Sequence, residues 1–183
     1  MGEETAPRKS LLKEAKSKPD KTIIPTSIDT TLSHCKVTAP LSEEGFKFIV
    51  ITNQAGVARG MINSLELEKI HKNMISELQK DDIDILNIYT CPHHWDDDCK
   101  CRKPKPGMFF QASRECALRL DQTLFIGDDI RDCQAAYNAG CGSIFVGNSD
   151  ELKILSQKEQ PIFSTIKLNE CVSNIIKHFN YNN

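Results

Sequence analysis

Apolar residues in this chain fall into short blocks that alternate between two periods. FKFIVIT (46–52) is a continuous, β-branched apolar run entered through Gly45, the pattern of a strand buried on both faces. Ile85–Tyr89, Thr123–Ile126 and Ser143–Val146 repeat it more briefly, and Thr22–Ile28 is a weaker strand candidate interrupted by Pro25. Helical periods lie between them. Asn63 followed by Glu66 is a capping box, opening a helix that runs to Lys80 with Leu67, Ile70, Met74 and Leu78 on one face. Gly107–Leu118 carries a stripe of Phe109, Ala112 and Cys116, and Ile130–Ala139 closes on Gly140. Asn169–Phe179 turns Val172, Ile175, Ile176 and Phe179 inward. Strand–helix alternation of this kind predicts an α/β fold, a Rossmann-like parallel sheet with helices on both faces.

Residues 1–21 break the pattern. They are rich in Lys, Glu, Ser and Pro, and are expected to form a mobile leader with a helical turn or two around Leu11–Ala15. Residues 22–183 then make one domain, long enough to bury a core. A formal net charge of −2 argues against the basic face that a nucleic acid requires. The opening MGEETAPRKS has no apolar h-region, and the longest apolar run, Phe46–Ile51, is far too short to span a bilayer. The expectation is a soluble, cytoplasmic monomer without nucleic-acid or membrane partners.

Eight cysteines are many for such a compartment, where a disulfide framework is not expected. Cys35, Cys116, Cys133, Cys141 and Cys171 sit among apolar residues and read as small hydrophobes. Cys91, His93, Cys99 and Cys101 crowd into CPHHWDDDCKC as two short-spaced pairs. Four ligands of this type suit a tetrahedral, structural zinc ion, with His94 as the competing imidazole. Trp95 and the run Asp96–Asp98 would then stand at the loop tip.

In open parallel sheets, ligands bind beyond the carboxyl ends of the strands. The polar signals fall there: Ser27 and Asp29 after the first strand, Thr52 and Asn53 after the second, Gly127 and Asp128 after FI. Asp128 offers hard oxygen to Mg²⁺. Lys103 of CRKP, just past the cysteine loop, offers a charge for a phosphate. Each signal alone has a bland reading, such as a strand exit, a GD turn or an exposed basic pair.

In their order, ITNQAGVARG, CPHH…CKCRKPKPGM and FIGDDIRDCQAA resemble the zinc-bearing phosphatases of the haloacid dehalogenase (HAD) superfamily. ARG and KPGM are closer to the D-glycero-D-manno-heptose 1,7-bisphosphate group, and the five-residue gap in the loop to the histidinol-phosphate group. The resemblance implies a HAD-like fold without a large cap domain and a Mg²⁺-dependent hydrolysis of a small sugar phosphate. It assigns phosphate contacts to Thr52 and Lys103, substrate contact to Arg102, support to Asn53, Mg²⁺ to Asp128 and Asp29, and general acid–base work to Asp29.

One position departs from that pattern. SIDTTL (27–32) has Ser27 where the family carries its aspartate nucleophile, and Thr30 in place of Gly. A hydroxyl there supplies neither an acyl-phosphate nor an anionic metal ligand. The stretch from there to Thr52 is also short for the family, at the cost of a flap-like hairpin. Two readings follow: a phosphatase, or an impaired relative that keeps fold, zinc and anion pocket as a binding or regulatory module. A polynucleotide 3′-phosphatase is disfavoured by the acidic balance, and a zinc-ribbon interaction domain by the strand-end motifs.

Overall fold

The computed structural model describes residues 21–25 and 32–181. Residues 1–20 of the expected leader lie outside the described residues, as do Ser27 and Asp29. Within these residues, six strands form one parallel sheet: β1 (Thr22–Pro25), β2 (Lys47–Asn53), β3 (Ile85–Cys91), β4 (Thr123–Gly127), β5 (Gly142–Val146) and β6 (Phe163–Thr165). Their order is β3-β2-β1-β4-β5-β6, with every pairing parallel. The chain winds outward from β1 to β3, then returns to place β4 on the other side of β1. That reversal, between β1 and β4, is the topological switch point.

Among the described residues, six helices connect and cover the sheet: α1 (Leu32–Glu43), α2 (Ala55–Ala58), α3 (Ser64–Gln79), α4 (Gly107–Cys116), α5 (Ile130–Ala139) and α6 (Cys171–Tyr181). Strand alternation sorts the core into two layers. Ile49, Ile51 and Phe125 pack with Phe109 and Ala112 of α4 and Ala135, Ala136 and Ala139 of α5. Phe48, Leu124 and Ile126 turn the other way, onto Leu41 of α1 and Cys171, Ile175 and Phe179 of α6. Phe109 and Phe125 meet edge to face at 4.8 Å, a geometry that adds to their burial. Among the described residues no helix is long and apolar enough to cross a membrane.

Local signals account for most boundaries. Asn63 and Glu66 exchange both capping-box bonds at the start of α3, and Gly140 ends α5 in the left-handed region. The sequence reading ran α4 to Leu118, but Ala117 adopts φ 53° and stops the helix. Ile70, expected on the inner face of α3, is 46 % exposed. This helix lies over β3 at the sheet edge, where only Leu67 and Met74 find enough surface to be buried. Helix α1 went unread, since Pro40 lies within it and removes a donor from its backbone ladder. The three-residue β6 is too short for a period to reveal.

Candidate active site

Strand register brings the chemistry to one edge. Thr52 and Asn53 end β2, and Asn53 pairs with Cys91 at the end of β3. On the other side of β1, Pro25 pairs with Ile126, so β1 ends alongside Gly127 and Asp128. Thr26–Thr31, which follow β1, lie outside the described residues.

Thr52, Asn53, Lys103 and Asp128 line one cleft of about 270 Å³ together with Gln54, Asp129, Arg131 and Asp132. Asn53 fixes the Lys103 backbone from both sides: Lys103 N–H donates to Asn53 Oδ1 at 3.1 Å, and Asn53 Nδ2 donates to Lys103 O at 3.3 Å. The Lys103 ammonium reaches back under the sheet edge. It donates to Ile51 O at 3.2 Å, lies 2.8 Å from Asp132 Oδ1, and sits over the Phe125 ring at 5.2 Å. Gln54 Nε2 donates to Thr52 Oγ1 at 3.2 Å, which orients the hydroxyl.

The three aspartates of GDDIRD have separate jobs. Asp129 caps α5 and holds Arg131 through both carboxylate oxygens. Those hydrogen bonds from Arg131 hold the Asp129 carboxyl below the usual carboxylate range. Asp132 accepts from Asp129 N–H at 3.2 Å and pairs with Lys103. Burial pushes the Asp132 carboxyl upward, against the pull of that ammonium. Asp128 is exposed and makes no ion pair among the described residues, which leaves its oxygens available to a metal ion. Gly127 is required by close approach: a Cβ there would overlap Asp132 Cβ and Oδ2.

Sequence reasoning gave no role to Gln54, Asp129, Arg131 or Asp132, although the short spacing in GDDIRD was visible. Arg102, expected at the substrate, lines an adjoining cleft, and its Nη1 donates to His93 O at 3.3 Å.

Behind this edge, Cys91 Sγ, His93 Nδ1, Cys99 Sγ and Cys101 Sγ all lie within 4.8 Å of one another. The individual separations are 3.6 Å for Cys91–Cys99, 3.4 Å for Cys99–Cys101, 3.2 Å for His93–Cys101 and 3.6 Å for Cys91–His93. Ligands held tetrahedrally at about 2.3 Å stand about 3.8 Å apart, so the four fit one ion. His94 turns away, its Nδ1 3.3 Å from Asp96 Oδ2. Burial raises the Cys91 thiol, and raises Cys101 to about 12. At Cys99 the same upward push is outweighed by hydrogen bonds from the Arg102 backbone and the neighbouring thiols, and the net direction is down. A Cβ on Gly107 would strike the Lys100 carbonyl, so the loop packs directly on the start of α4.

A family model described as HAD-hydrolase-like matches residues 100–168. The D-glycero-alpha-D-manno-heptose-1,7-bisphosphate 7-phosphatase of Campylobacter jejuni is 39% identical over 106 residues, which are 58% of this chain and 60% of that relative. This chain therefore matches less than two thirds of that relative's length. The D-glycero-beta-D-manno-heptose-1,7-bisphosphate 7-phosphatase of Bordetella bronchiseptica is 37% identical over 123 residues, 67% of this chain and 69% of the relative. The crystal structure of the B. bronchiseptica D,D-heptose 1,7-bisphosphate phosphatase, complexed with magnesium and phosphate, superposes with a TM-score of 0.76 at 27% identity. It covers 86% of this chain and 99% of that one. The chain belongs to the haloacid-dehalogenase-like hydrolases. Within them, its similarity is to the heptose-bisphosphate phosphatases.

Proposed function

We propose that this chain, through a single domain at residues 22–183, is a Mg²⁺-dependent phosphatase of a small phosphorylated sugar. D-glycero-D-manno-heptose 1,7-bisphosphate is the substrate that its relatives' names suggest. The observation that carries the reading is the convergence of Thr52, Lys103 and Asp128 on one cleft at the carboxyl edge of the sheet. Thr52 Oγ1 and the Lys103 ammonium receive the phosphate oxygens, and Lys103 offsets charge that develops as the ester bond breaks. Asn53 positions Lys103, and Arg102 contacts the substrate from the adjoining cleft. Asp128 and Asp29 hold Mg²⁺, which supplies Lewis-acid neutralisation of the phosphate. Cys91, His93, Cys99 and Cys101 hold a structural zinc that keeps residues 91–106 against the site.

Ser27 closes the covalent route through a carboxylate. Asp29 takes a proton from water, which attacks phosphorus directly as the ester P–O bond breaks, and the leaving oxygen takes its proton from solvent. The same Ser27 favours a second reading, in which the cleft binds the sugar phosphate without turnover. Both readings take the protein as a cytoplasmic monomer.

Phosphate release from the heptose bisphosphate with Mg²⁺ tests the reading. Release that survives Ser27→Ala and is abolished by Lys103→Met is the expected result. Binding without release, with turnover gained only in Ser27→Asp, would establish the second reading. Neither release nor binding in any variant would end both.

A further inference from the structure

We propose that Trp95 forms the floor of a ring-binding subsite that takes the pyranose portion of the sugar phosphate. This rests on the phosphatase reading and adds the element that selects the leaving group. A surface tryptophan needs no explanation by itself. This one belongs to none of the core clusters, is 58 % exposed, and lines a cleft of about 400 Å³. That cleft shares Lys103 and Arg131 with the phosphate cleft. A phosphomonoester seated on Thr52 and Lys103 therefore has the Trp95 cleft as the adjoining space for its alcohol portion.

The indole is held ready rather than loose. The His94 ring lies 3.6 Å from it between centroids, and the Arg59 guanidinium stands over it at 6.0 Å. The turn beneath is closed by His94 N–H donating to Asp97 Oδ2 at 2.7 Å. A braced aromatic surface loses little freedom when a ligand stacks on it. Around it the cleft carries Asp96 and Asp98, whose carboxylates accept hydrogen bonds from hydroxyls. Asp98 forms an exposed ion pair with Lys105 beside it. An apolar plane bordered by carboxylates suits a ring with C–H groups on one face and hydroxyls at its rim, the chemistry of a pyranose.

Trp95 is the only tryptophan in the chain, so its fluorescence reports on this subsite alone. Stopped-flow mixing of the zinc-loaded full chain with the heptose bisphosphate should give a saturable change in emission, and ethyl phosphate should give a much smaller one. Trp95→Ala should raise KM for the bisphosphate by about five- to tenfold relative to ethyl phosphate, with part of the loss recovered in Trp95→Phe. Unchanged zinc content in both variants shows that the loop is intact, and the wild-type fluorescence stands even where a variant does not fold. Sugar bound or turned over with unaltered emission and an unaltered KM ratio would overturn the subsite alone. A wild-type protein that neither binds nor hydrolyses the sugar in calorimetry and phosphate assays would overturn the phosphatase reading, and the subsite with it.

Discussion

The Lys103 ammonium lies 2.8 Å from Asp132 Oδ1, and the two side chains are 6 % and 4 % exposed. Two charges so deep at a strand edge are stable only as a pair, because each alone loses its hydration without compensation. Asp132 therefore acts on the phosphate cleft through Lys103: it fixes where the cation stands.

Removing one partner should be far worse than removing both. Asp132→Asn leaves an ammonium buried without its counter-ion and should cost about 3–5 kcal/mol in urea unfolding. Lys103→Met with Asp132→Leu should regain most of that stability while losing phosphate binding in calorimetry. An Asp132→Asn protein as stable as the wild type would show that the pair does not carry the charge of Lys103.

Asp129 gives a prediction in pH. Its carboxyl is held low by Arg131, so the stability it contributes is present above the ordinary value of 3.8 and lost as pH falls through the lower folded value. Asn serves as well as Asp at a helix N-cap, so Asp129→Asn keeps the cap and removes only the ion pair. The pair is partly exposed and screened, and its loss should cost about 0.5 kcal/mol at pH 7. Urea midpoints should converge with the wild type as pH is lowered through that window. A gap that widens in acid would reverse the assignment.

The cysteine cluster should release protons when it binds zinc. Cys91 and Cys101 have raised thiols, the latter to about 12, and a metal must displace those protons to be held by thiolates. Calorimetric titration in buffers of different ionisation enthalpy should count about two to three protons per zinc at pH 7, with affinity falling as pH falls. Cys99→Ser or Cys101→Ser should lower zinc stoichiometry and the melting temperature together. A Cys101→Ser protein that still binds one equivalent as tightly would exclude Cys101 as a ligand.

Much of this site was legible because its parts are local. The cysteine spacing, the GD after FI and the TN after FIVI are each contained in a few residues, and strand ends are where such residues converge in a parallel sheet. What escaped notice was relational. Nothing in GDDIRD distinguishes Asp128, open to solvent, from Asp129, spent on Arg131, or from Asp132, buried under Lys103. Ile70 fits the helical period of α3, yet stays exposed because the sheet edge beneath it is narrow.

The sequence by itself determined most of the alternation of strands and helices, the N-cap of α3, the glycine end of α5 and the four metal-ligand candidates, because these depend on backbone geometry and spacing within a turn or a loop. Only the tertiary structure decided which aspartate faces which cation, and that Trp95 shares a cleft with Lys103. Those outcomes depend on burial and on contacts between strands distant in the chain, and no local period encodes them.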